Sequence, residues 1–112
     1  MKRVINGKSY YIGPKANLSR ASLFGSWLGG TDLRGADLYG ADLYKADLSH
    51  ADLYKANLYK ANLCGTNLTG ANLIGASLYK TNLISAYGLT PEMTEWAELC
   101  GAILSPIDLK EH

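Results

Sequence analysis

The sequence has almost no net charge, two cysteines and no long apolar run. Eleven Lys and Arg stand against ten Asp and Glu in 112 residues, a formal +1. Bulk charge therefore favours neither nucleic acid nor a strongly charged partner, and any electrostatic function has to be local. Nowhere is there the apolar stretch of about eighteen residues that a membrane-spanning helix needs. The opening MKRVINGKSYYIG is basic but lacks the apolar segment of a signal peptide, so the chain is expected to stay in the cytosol. Cys64 and Cys100 show no CxxC or Cys/His spacing that would hold zinc, and they read as free thiols of a reducing compartment.

What the sequence does have is a period of five. Leu occupies every fifth position from Leu18 to Leu83, which makes fourteen units over residues 16–85. A helix repeats its face every 3.6 residues and a strand every 2, so a strict five calls for a repeat architecture. Two places before each Leu the residue is small: Ala in most units, otherwise Ser26, Thr31, Thr66 or Thr81. Only these two places are restricted in this way, so they are the ones expected to point inward. Between them stands Asp or Asn in eleven units, with Ser22, Trp27 and Ser77 as exceptions. The last place is Gly in seven units, including Gly25, Gly40 and Gly65, where a tight corner requires positive φ. The other seven corners, such as Lys45, His50 and Lys60, are expected to use a different turn type.

The pattern Ala-(Asp/Asn)-Leu-x-x resembles that of the pentapeptide-repeat proteins over about 70 of the 112 residues. The resemblance implies an all-β solenoid, a right-handed quadrilateral β-helix of about 3.5 coils with one unit per side. Stacking coils at the strand spacing of roughly 4.8 Å would bring residue n beside n+20 and build one continuous leucine core. A single domain is expected over residues 1–112. Its parts are an N-terminal cap at 1–15, the repeats at 16–85, and a C-terminal helix and tail at 86–112.

Open coil ends need covering. Asn6-Gly7 between two β-prone runs predicts a hairpin over residues 3–12 that closes the first coil. At the other end Gly88 stands where Leu is due, and Thr90-Pro91-Glu92 opens a short helix that Gly101 ends. Met93, Trp96, Ala97 and Cys100 share one face of it, which suits a lid on the last coil better than a dimer surface. Two further units, Ala102-Ile103-Leu104 and Ile107-Asp108-Leu109, suggest that the coil resumes after the helix.

No catalytic constellation emerges. Ser49, His50 and Asp52 are close in sequence but occupy solvent-facing places without a pocket or oxyanion donors. The glycines follow the corner rule and not a phosphate-loop spacing, so neither enzyme activity nor a cofactor is expected. Function has to come from the outer surface, where two sets of residues compete. The twenty-residue rule aligns Tyr39, Tyr59 and Tyr79 as a ladder, with Tyr44 and Tyr54 on neighbouring sides. Such aromatics either brace adjacent strands or form a protein-binding face, while nearby Asp residues oppose direct nucleic-acid binding.

The second set is an acidic belt, Asp32, Asp37, Asp42, Asp47 and Asp52, in five successive units, after which Asn takes the same place. Either residue satisfies the backbone there, so the fold itself does not call for the switch. The resemblance supplies a functional alternative, since some pentapeptide-repeat proteins imitate a DNA duplex and inhibit DNA gyrase. Duplex DNA carries a charge every 1.7 Å or so, which would ask for about ten net negatives over such a solenoid. With +1, only a local acidic patch is available. The expectation is a non-enzymatic binding protein, monomer or homodimer, with a protein partner and no membrane or direct nucleic-acid contact. It would occupy the DNA site of a gyrase-type or phage-targeted defence complex, as an anti-CRISPR does, or act as a scaffold through the Tyr ladder.

Overall fold

A computed structural model describes residues 1–107 of the chain. Its repeating element is a corner. From Ala21 onward the amide of each small residue donates to the carbonyl of the Leu three residues earlier: Ala21 to Leu18, Ala36 to Leu33 and Ala51 to Leu48, each at 3.0 Å. The two variable residues between them form the centre of a four-residue turn. The second of these has positive φ in every unit, from +54° at Lys45 to +73° at Gly75.

The seven corners without glycine therefore use the same turn as the rest, against the sequence expectation of a different type. A left-handed L-residue costs roughly 1–2 kcal/mol, and here the neighbouring coil holds the backbone in place. The Lys45 amide donates to the carbonyl of Cys64 at 2.9 Å, and the Gly65 amide makes the equivalent bond to Ile84 at 3.0 Å.

Parallel pairing runs from Asn17 with Asp37 to Asn67 with Tyr87, always at a spacing of twenty residues, hence four units per coil. Around the pair Asp37 and Asn57, the Leu38 amide donates to the Asn57 carbonyl at 2.8 Å. The Asn57 amide in turn donates to the Ala36 carbonyl at 2.9 Å. Inside, all fourteen leucines from Leu18 to Leu83 are buried. The small residue beside each Leu keeps the narrow interior filled without crowding. Where it carries a hydroxyl, that group bonds a carbonyl: Thr66 Oγ1 to Leu43 at 2.7 Å and Thr81 Oγ1 to Leu58 at 2.6 Å. Among the described residues no buried side-chain nitrogen or oxygen lacks a partner.

At one end, β1 (Lys2–Ile5) and β2 (Lys8–Tyr11) form an antiparallel hairpin. Both turn residues, Asn6 and Gly7, have positive φ, as a type I′ turn demands. The Asn6 amide side chain donates to the carbonyls of Ser22 at 3.1 Å and Phe24 at 3.0 Å, and the Ser22 amide donates to Tyr10 Oη. These bonds seat the hairpin on the first coil.

At the other end, pairing continues through Tyr87 and stops at Gly88, where a Cβ would collide with the Thr69 backbone. Helix α1 spans Pro91–Leu99, with the Thr90 hydroxyl accepting from the Met93 amide at 3.2 Å. Ala97 is buried, and Met93, Trp96 and Cys100 pack partly against the core. The coil then resumes, since Ile103 pairs with Asn82 and the Lys80 backbone amide donates to the Gly101 carbonyl at 3.0 Å. The further unit Ile107-Asp108-Leu109 extends outside the described residues.

Candidate protein-interaction surface

The twenty-residue spacing stacks three tyrosines on one flank of the solenoid. Ring centroids of Tyr39 and Tyr59 are 5.5 Å apart, and those of Tyr59 and Tyr79 are 5.7 Å apart with planes 5° from parallel. Tyr79 ends the column against Gly101, where a side chain would meet its ring. Cations at the corners cover these rings: the Arg20 guanidinium lies 5.5 Å from Tyr39, and the ammonium groups of Lys60 and Lys80 lie 5.3 and 5.5 Å from Tyr59 and Tyr79. The result is a rigid column of stacked rings flanked by positive charge, with Tyr39 and Tyr59 half-buried and Tyr79 the most open. Tyr44 and Tyr54 stand in other columns outside this stack, each covered by its own neighbour, Lys45 or Lys55.

The five aspartates form a half-buried ring with a different character. In each, Oδ1 accepts the amide two residues on: Arg34 for Asp32, Tyr39 for Asp37, Tyr44 for Asp42, Ser49 for Asp47 and Tyr54 for Asp52, over 2.8–3.2 Å. Asn57, Asn62, Asn67, Asn72 and Asn82 do the same in later units. Three of these asparagines also donate back one coil, Asn57 to Asp37 at 3.3 Å, Asn62 to Asp42 at 3.4 Å and Asn72 to Asp52 at 3.2 Å. An aspartate there would set two carboxylates face to face.

This corrects the view that the fold has no use for the Asp-to-Asn change. Where Asp does face Asp, at Asp32 and Asp52, Arg34 lies between them, 2.6 Å from the first and 3.8 Å from the second. The Arg34 side-chain hydrogen bond holds the Asp32 carboxyl below the ordinary carboxylate value, and Asp32 in turn raises the Arg34 guanidinium. Asp47 is also held low, first by the Ser49 hydroxyl and then by its amide, with a smaller contribution from the charge of His50.

Sequence reasoning passed over Trp27 as a site. It occupies an Asp/Asn place, yet its indole offers no oxygen to the following turn and is 81% exposed. A residue that abandons the local rule of its repeat without helping the fold is the signal that would have found it.

A family model described as pentapeptide repeats matches residues 16–53 and 56–87 in 8 copies. The chain belongs to the pentapeptide-repeat family. Pentapeptide-repeat proteins form right-handed quadrilateral β-helices and are in general structural or binding proteins. Among solved structures, alr5209 from Nostoc PCC 7120, a pentapeptide-repeat protein, is 38% identical with a TM-score of 0.54, over 81% of this chain and 78% of that one. HetL from Nostoc sp. strain PCC 7120, involved in heterocyst differentiation regulation, is 44% identical with a TM-score of 0.48, over 64% of this chain. Rfr23 from Cyanothece 51142 is 42% identical with a TM-score of 0.46, over 55% of this chain. The chain spans only 28% of HetL and 46% of Rfr23. A comparison with curated proteins returned no match. Among the described residues no helix of this pentapeptide-repeat chain is long and apolar enough to cross a membrane.

Proposed function

We propose that the chain is a non-enzymatic, cytosolic protein-binding module whose contact face is the stack of Tyr39, Tyr59 and Tyr79. Its coils, about 3.5 of them, serve as a rigid stem closed by the hairpin at one end and by α1 at the other. The observation that carries this reading is the stacking itself, with centroids at 5.5 and 5.7 Å. Three aromatic rings are held in fixed register, so a partner would bury their exposed edges with little loss of side-chain freedom. Arg20, Lys60 and Lys80 on the same strip suit a partner surface with acidic groups around an apolar centre. The free thiols Cys64 and Cys100 fit a reducing setting. The test is capture of a host protein by the immobilised chain. The triple Tyr→Ser variant at 39, 59 and 79 should release it, and capture that survives this change removes the strip from the account.

A second reading keeps the acidic belt as a local imitation of DNA phosphate, aimed at the DNA site of a gyrase-type or phage-targeted complex. Its support is that Asp37, Asp42, Asp47 and Asp52 circle one complete coil, with Asp47 held ionised by Ser49. Its weakness is magnitude. The belt holds five carboxylates, two of them bridged by the Arg34 guanidinium, against the roughly ten charges a duplex of that length would present.

A further inference from the structure

Trp27 is not alone at its end of the molecule. Val4 of β1 is 76% exposed, Phe24 is 46% exposed, and both line with Trp27 a groove of about 320 Å³ whose remaining walls are Arg3, Ile5, Asn6, Gly25 and Ser26. Large apolar groups left this open on a small domain mark a docking surface. The surroundings of the groove narrow the choice of occupant. Residues 1–31 contain Lys2, Arg3, Lys8, Lys15 and Arg20 and not one Asp or Glu. The groove thus sets three apolar side chains beside Arg3, with Lys2 and Lys8 on the same hairpin, while Asp47, paired with Trp27 in the next coil, turns its Oδ1 to the Ser49 amide. Such a groove suits an acidic segment carrying an apolar anchor.

The chain itself contains such a segment at its other end. From residue 90 onward there are five acids, Glu92, Glu95, Glu98, Asp108 and Glu111, against the single cation Lys110. In α1 the side packed on the core is Met93, Trp96, Ala97 and Cys100, so Glu92, Glu95 and Leu99, at helical spacings of three and four, share the outer side. Leu99, 83% exposed, ends that side one turn beyond Glu95. An acidic helix face that ends in an exposed leucine is the complement of a groove that sets Val4, Phe24 and Trp27 beside Arg3.

One molecule cannot join the two. The hairpin is bonded to residues 22 and 24 of the first coil, whereas the segment after α1 is bonded to residues 80–83 of the last, in a particle 37 Å in its longest extent. At physiological salt the screening length is about 8 Å, so the two ends act as separate charges and the net +1 conceals a strongly polar molecule.

We propose that copies of this chain associate head to tail, with the outer face of α1 from one copy, anchored by Leu99 at its end, seated in the Val4–Phe24–Trp27 groove of the next. Glu92 and Glu95 then face Arg3 and the hairpin lysines. The contact is heterologous, so it repeats and gives open chains instead of a closed twofold pair. A contact built on one leucine and two carboxylates is a reversible, salt-sensitive one. It lies at the ends and leaves the Tyr strip on the flank free.

The experiment is sedimentation of the full-length chain over a concentration series at low and high salt. Wild type should gain mass continuously with concentration at about 50 mM salt and revert toward monomer at about 500 mM. Trp27→Ser, Arg3→Glu and Glu95→Lys each alter an exposed or rim side chain, and circular dichroism should show the wild-type fold for all three. Each variant alone should stay monomeric. An equimolar mixture of Arg3→Glu and Glu95→Lys should recover association, because every junction then pairs opposite charges, and the double variant in one chain should do the same. Wild type that stays monomeric throughout, or a dimer that forms equally well with Glu95→Lys, would overturn the proposal.

Discussion

Asn57 Nδ2 donates to Asp37 Oδ1 at 3.3 Å, one full coil away. Two residues twenty apart in sequence are thus one unit of the structure: the carboxylate receives the amide of Tyr39, and the asparagine above it supplies a neutral donor. Replacing Asn57 by Asp keeps its own bond to the Tyr59 amide but faces two carboxylates across the coil step. Like charges directly opposite in a sheet cost on the order of 0.2–1 kcal/mol. Asn57→Asp should therefore lower the melting temperature by a few degrees at low salt, and salt should restore part of the loss. Asp37→Asn should be close to neutral. Equal effects of the two changes would show that the Asp/Asn order is indifferent to the fold.

Lys45 tests the corner. At φ +54° it already pays the left-handed penalty, and its amide is fixed by Cys64. Lys45→Gly removes that strain while giving up the contact with the Tyr44 ring, so stability should stay within about 1 kcal/mol of wild type. Lys45→Val sets a β-branched residue in the same well and should lose about 1–3 kcal/mol. Chemical denaturation would measure both, and a Val variant as stable as wild type would contradict the shared turn geometry.

Leu53 is fully enclosed by its stacked neighbours. Leu53→Ala should cost about 2–5 kcal/mol, Leu53→Met less than about 1.5, and Leu53→Asp should prevent folding. A soluble Leu53→Asp protein with a normal thermal transition would refute its inward placement.

Acid should expose the role of Asp47. Its folded pKa lies below the ordinary value of 3.8, chiefly through the Ser49 hydroxyl. The unfolded chain therefore binds the proton first. The stability this carboxylate contributes is present above pH 3.8 or so and is lost as pH falls through its folded pKa. Asp32, lowered by Arg34, acts in the same direction. Asp47→Asn and Ser49→Ala should each flatten the decline of melting temperature below about pH 4 relative to wild type. Identical slopes in all three proteins would mean that this interaction does not stabilise the folded state.

Much of this architecture is legible in the five-residue period, because Leu and the small residue are selected by the interior alone. The hairpin at Asn6-Gly7 and the helix after Thr90 are legible for local reasons, in turn and cap chemistry. Lys45 and the other non-glycine corners are not, since local preference disfavours positive φ and only the bonds to the next coil override it. The Asp-to-Asn change is intelligible only when Asp37 is aligned with Asn57, Asp42 with Asn62 and Asp52 with Asn72. Trp27 is visible as a departure from the repeat, but its exposure beside Val4 depends on where the hairpin settles.

The central claim is that the Tyr strip, and not the acidic belt, makes the contact with a protein partner. The direct measurement is the affinity of the isolated partner for wild type, for the triple Tyr→Ser variant at 39, 59 and 79, and for the triple Asp→Asn variant at 37, 42 and 47, with duplex DNA as competitor. Each buried aromatic anchor is worth about 2 kcal/mol or more, so the Tyr variant should lose at least about 100-fold while the Asp variant stays within a few-fold and DNA fails to compete. Displacement by DNA, together with loss of binding in the Asp variant and full binding in the Tyr variant, would contradict the account and leave the acidic belt as the functional face.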